Sequence, residues 1–89
     1  MVQRTVELVN RLGLHARAAA KFVHVSSRFA ADISVRHNDE EVNGKSILGL
    51  LLLAAPCGSR LTIAADGKDE GQALAALEEL IGQRFGESE

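Results

Sequence analysis

The sequence contains neither tryptophan nor tyrosine, and only three phenylalanines. It therefore lacks the aromatic platforms on which nucleic-acid bases stack. A formal net charge of −2, with no Lys/Arg stripe, also speaks against a nucleic-acid partner. The lone cysteine, Cys57, excludes a disulfide framework and a multi-cysteine metal site. It sits among turn residues with no histidine or acidic cluster nearby in sequence, and reads as structural. The longest apolar stretch, Ile47 to Pro56, is too short to cross a bilayer. Met1-Val2-Gln3-Arg4 does not start a basic segment followed by an apolar run, so no signal peptide is evident. The expectation is a soluble, cytoplasmic protein with no membrane insertion. A chain of 89 residues is expected to form one domain, 1–89, around a modest core. It leaves no room for a large cofactor, and neither cofactor nor metal is expected.

What is present alternates clearly between two periods. Val2 to Val9 reads as a strand, with β-branched residues in period-two alternation. Ala16 to Phe29 reads as a helix. Its polar face carries Arg17, Ala20, Lys21, His24, Ser27 and Arg28, and its buried face Ala18, Ala19, Phe22, Ser26 and Phe29. Asp32 to His37 alternates again, Asn38-Asp39 signals a turn, and Glu40 to Asn43 reads as the returning strand. Ser46 is a suitable N-cap for a short helix from Ile47 to about Leu53. Six of those seven residues are apolar, so some must be exposed. Arg60 to Asp66 reads as a strand and Asp69 to Arg84 as the last helix; residues 86–89 are expected to fray. The order β-α-β-β-α-β-α implies an α+β fold with one antiparallel sheet and the helices on one face.

The stretch with chemical content runs from Asn10 to Ala20: Asn-Arg-Leu-Gly-Leu-His-Ala-Arg-Ala-Ala-Ala. It leaves a strand as a loop and enters a helix with His15 at the junction and Arg17 two residues on. A helix start leaves about four N–H groups unpaired and carries partial positive charge, which suits an anion. An imidazole placed there is a nucleophile whose phosphorylated form backbone amides and a guanidinium can hold. We read His15 as a phosphoryl acceptor, Arg17 as its phosphate contact, and the Ala16 and Arg17 amides as phosphate-binding backbone. A phosphoramidate is reactive enough to be passed on, whereas a phosphoserine in the same place is not.

Gly44-Lys45-Ser46 superficially suggests a P-loop, but the first glycine of that motif falls at Asp39 and the following helix is too short. Ser46 is left as a helix cap and a candidate regulatory phosphosite. Surplus apolar residues on the short helix suggest a docking surface beside the active loop. His37 reads as plain surface.

Two motifs then carry a family pattern. Gly13-Leu14-His15-Ala16-Arg17 resembles the active-site loop of the HPr family, the histidine-containing phosphocarriers of the bacterial phosphoenolpyruvate-dependent sugar phosphotransferase system. Asn43-Gly44-Lys45-Ser46-Ile47-Leu48-Gly49-Leu50 resembles that family's regulatory serine region. The resemblance spans essentially the whole chain. It implies an open-faced β-sandwich, βαββαβα, with strand order 1-4-2-3 under three helices. It also implies a phosphocarrier that is not a turnover enzyme. Enzyme I would phosphorylate Nδ1 of His15, and the group would pass to a IIA protein or domain. Ser46 would be the target of HPr kinase/phosphorylase. Docking would use Ala20, Lys21, His24, Lys45, Ile47, Leu48 and Leu51, and the protein would be a monomer. Where the family usually has proline after the arginine, this chain has Ala18. That departure leaves open a paralogue of a regulatory branch that moves no sugar. A small ligand-binding regulatory α+β domain is the alternative of a different class.

Overall fold

Strand order is the one feature of the topology that local periodicity leaves undetermined. A computed structural model, describing all residues 1–89, gives it directly. The strands are β1 (Val2–Glu7), β2 (Asp32–His37), β3 (Glu40–Asn43) and β4 (Arg60–Asp66), and they form one antiparallel sheet of order β1-β4-β2-β3. The helices are α1 (Ala16–Ser26), α2 (Ile47–Leu52) and α3 (Glu70–Gly82), followed by a short 3-10 turn, Arg84–Gly86. The fold is the expected α+β arrangement with strand order 1-4-2-3.

Period-two alternation divides the sheet cleanly. Ile33 and Val35 of β2 and Leu61, Ile63 and Ala65 of β4 are buried beneath the helices. They meet Ala18, Ala19 and Phe22 of α1 and Ala73, Leu74, Leu77 and Ile81 of α3 in one core. The other face of the sheet is open and polar, where the Thr5 and Thr62 hydroxyls meet across β1 and β4 at 3.1 Å. Small residues at Ala18 and Ala19, both fully buried, let α1 lie close to its neighbours.

Element ends differ from the expected ones for reasons visible in their contacts and backbone angles. Helix α1 stops at Ser26, whose hydroxyl donates to the Gly44 carbonyl at 2.8 Å and ties the helix end to the β3–α2 link. Beyond it, Asp69 at the head of α3 accepts from the Ala30 and Ala31 amides at 2.8 and 2.9 Å, fixing the turn into β2. Helix α3 ends at Gly82, because Arg84, Phe85 and Gly86 all adopt positive φ, from 55° to 79°. A right-handed helix cannot continue through such a run. The tail does not fray as expected. Phe85 is a core residue, and Lys21 donates to its carbonyl at 2.6 Å, so residues 84–89 return over the loop that follows β1.

Candidate functional site

The loop between β1 and α1 is built around Gly13. Its φ of +68° is one that side-chain-bearing residues adopt at a cost, and a Cβ there would lie 2.5 Å from the Ala55 carbonyl oxygen. That same oxygen accepts from the Leu14 amide at 2.9 Å, so the loop is pressed onto the segment after α2. Leu14 is buried as the anchor, and the next residue, His15, becomes the N-cap of α1 with an extended backbone.

His15 does not cap the helix with its side chain. The first bond within the helix runs from the Ala19 amide to the His15 carbonyl at 2.8 Å. The amides of Ala16, Arg17 and Ala18 find no acceptor in the chain. Three donors therefore stand open at the positive end of a helix, beside an imidazole whose side chain is 27% exposed. Arg17 is exposed and forms no ion pair or hydrogen bond with the rest of the protein. With Arg11, Leu12 and residues 86–89 it lines an open cleft. The sequence-derived pair of His15 and Arg17 thus sits on one helix start, with the guanidinium uncommitted.

Glu87 is the residue the sequence reading missed. Its carboxylate accepts from His15 Nε2 at 2.5 Å and from Asn10 Nδ2 at 3.1 Å. Asn10 is wholly buried and also donates to the Gly13 carbonyl at 2.7 Å, while its Oδ1 has no partner. Burial pushes the Glu87 carboxyl up. The hydrogen bonds from His15 and Asn10, with the charges of His15 and Lys21, more than offset this and hold it below the usual carboxylate range. Arg11 is clamped in turn by Glu89, at 2.7 Å between side chains and 3.0 Å between backbones. One sequence signal pointed this way: Phe85, one of only three aromatics, lies beyond the last helix and needs a buried home.

The second motif lies at the start of α2, which packs against α1. The Gly49 amide donates to Ser46 Oγ at 3.0 Å, so Ser46 is the N-cap of α2 as expected. Ile47, Leu48 and Leu52 are exposed, Leu51 is half-buried, and Leu50 is in the core. Leu52 thus presents more apolar surface than Leu51, which the family resemblance had favoured. Ala20 and His24 are exposed on α1. Lys21 and Lys45 are less available than a solvated basic face would be: their ammonium groups donate to the Phe85 and Phe29 carbonyls, at 2.6 and 2.8 Å. None of the helices is long and apolar enough to cross a membrane.

Comparison with known proteins gives a consistent result. The family model described as the phosphotransferase-system HPr component phosphorylation site matches residues 2–83. The phosphocarrier protein HPr of Neisseria meningitidis serogroup A is 47% identical over 89 residues, covering both chains completely. That of Cupriavidus necator is 45% identical over the same full length. Among solved structures, HPr-C-His from Thermoanaerobacter tengcongensis superposes with a TM-score of 0.96 at 42% identity, again over the whole of both chains.

Proposed function

This chain belongs to the HPr family of phosphocarrier proteins, and from that premise we propose that His15 is the residue that carries the phosphoryl group. Phospho-enzyme I is the donor, Nδ1 the accepting atom, and a IIA protein or domain the next acceptor. What supports this is a single arrangement. Nε2 of His15 is occupied by Glu87, Nδ1 has no partner, and three unpaired amides with a free Arg17 lie in the first turn of the helix that His15 caps. The Nδ1 lone pair attacks phosphorus, and the bond to the donor breaks with its electron pair leaving on the donor. The transferred oxygens then accept from the Ala16 and Arg17 amides and from the Arg17 guanidinium in charge-assisted hydrogen bonds.

The carrier acts once per charge, as one domain in the cytoplasm. Docking uses the exposed apolar tip of α2, Ile47 and Leu48, with Leu51 at its border and Ala20 and His24 on the adjoining face of α1. Lys21 and Lys45 contribute charge at its margin while tethered to carbonyls. Ser46, at the edge of this tip, is the regulatory phosphosite, the target of a kinase of the HPr kinase/phosphorylase type.

The test is label transfer from phosphoenolpyruvate through enzyme I. The wild type should take up acid-labile, base-stable label, and His15→Ala none. Label persisting on His15→Ala would refute the assignment.

A further inference from the structure

The transfer chemistry just described gives Glu87 no role beyond occupying Nε2 of His15. We propose that Glu87 is a positioning residue for phosphoryl transfer, holding His15 through Nε2 so that Nδ1 keeps its lone pair. This rests on His15 being the phosphoryl acceptor.

A carboxylate can only accept a hydrogen bond. Its oxygen lies 2.5 Å from Nε2, so Nε2 must carry the proton. A neutral imidazole has one N–H, which leaves Nδ1 unprotonated and nucleophilic. No proton has to move when Nδ1 attacks. The new N–P bond makes the ring cationic, with Nε2–H retained, and the Glu87 carboxylate already lies against that charge. When the group is passed on, the N–P bond breaks and its pair returns to Nδ1. The logic is that of an acid residue fixing a histidine tautomer in a hydrolase triad.

Glu87 is itself held in place. Asn10 Nδ2 forks between the Gly13 carbonyl and Glu87 Oε1, at 2.7 and 3.1 Å. Two oxygen acceptors dictate that amide orientation, even though it leaves the buried Oδ1 without a partner. Leaving a buried acceptor orphaned is costly, which argues that the orientation is needed. The backbone around Glu87 is fixed on both sides: by the buried Phe85 with its carbonyl on Lys21, and by Glu89 on Arg11.

Glu87→Gln is isosteric and gives a sharp test. Asn10 still has to donate to residue 87, so the glutamine oxygen turns toward Asn10 and its NH2 group toward His15. Nε2 can then only accept, and the ring proton shifts to Nδ1. Nitrogen-15 NMR of the histidine ring, on unphosphorylated protein at alkaline pH, should show the Nε2–H form in the wild type. The variant should move toward Nδ1–H. Its maximal rate of charging by phosphoenolpyruvate and enzyme I should fall by roughly tenfold or more, because a misplaced reacting group costs up to about 10²-fold, with KM for enzyme I unchanged. Glu87→Ala, which carries no donor, should fall between the two, and it serves as the test if the glutamine variant does not fold. An unchanged tautomer in both variants would overturn the proposal. So would a shifted tautomer with a wild-type rate, or a loss confined to KM. A wild type that takes no label at all would instead overturn the carrier reading, a result the NMR arm cannot be confused with.

Discussion

Gly13→Ala is the perturbation that reports most directly on how the active loop is held. Two costs combine. Alanine at φ +68° is left-handed, which costs about 1–2 kcal/mol. Its Cβ would also sit 2.5 Å from the Ala55 carbonyl oxygen and 2.8 Å from the Pro56 Cα, against backbone that cannot rotate out of the way. The two loops must part by nearly an ångström, and the Leu14 amide bond to that same oxygen, 2.9 Å long, is stretched or lost. A backbone hydrogen bond contributes a further ~0.5–1.5 kcal/mol. The expected destabilisation is therefore about 1.5–3.5 kcal/mol. In a chain of this size each kcal/mol lowers the thermal midpoint by roughly 4–8 °C, so calorimetry should show a drop of roughly 6–28 °C. Parting the loops also moves His15, two residues on, away from Glu87, so charging by enzyme I should slow even at temperatures where the variant is folded. A midpoint within about 3 °C of the wild type, less than ~1 kcal/mol on the same scale, would refute the reasoning. It would mean that the loop adapts and that Gly13 is not what sets its course.

Two further substitutions separate structural from functional roles. Ser46→Ala removes the oxygen that receives the Gly49 amide and should cost ~1 kcal/mol, the usual worth of an N-cap, whereas Ser46→Asp keeps an acceptor there and should melt near the wild type. The aspartate variant should nonetheless be charged more slowly by enzyme I, because a carboxylate beside Ile47 and Leu48 resists desolvation on docking; an unfolded variant, or one charged at the wild-type rate, would count against this. Ala18→Pro should leave the fold intact and raise stability by ~0.4–1 kcal/mol, since the Ala18 amide donates to nothing and proline restricts the unfolded chain. A lower midpoint in calorimetry would show that the ring does not fit the fully buried site.

The sequence made the β1 alternation, the Gly13 loop, the helix start at His15 and the Ser46 cap legible because each depends on neighbours within a few residues. The apolar excess on α2 was legible too, as a count of more leucines than one helix face can bury. What could not be read was anything that depends on distant partners. Glu87 is 72 residues from His15 and 77 from Asn10, and no period links them. By local rules the segment after α3 is polar and glycine-containing and should be loose. It is ordered because Phe85 finds space in a core assembled by other elements. For the same reason the basic residues Lys21 and Lys45 looked like free surface. Their partners are carbonyls of residues 85 and 29, and carbonyls leave no signature in composition.

The order in which the strands sit has a consequence for how the protein is made. Strand β1 is the first to leave the ribosome, yet it pairs only with β4, Val2 opposite Ala65. β2 likewise has β4 as its second neighbour. One of the two inner strands of the sheet, β4, is thus the last strand synthesised. Until Asp66 has emerged, a nascent chain can hold the β2–β3 hairpin and helical segments, but β1 has no partner and the apolar face of β2 no continuous sheet to extend. Contacts so far apart in sequence are slow to form. Completion of the sheet therefore waits for β4, and until then the exposed hairpin edge and the leucines of α2 are the surfaces a chaperone would meet.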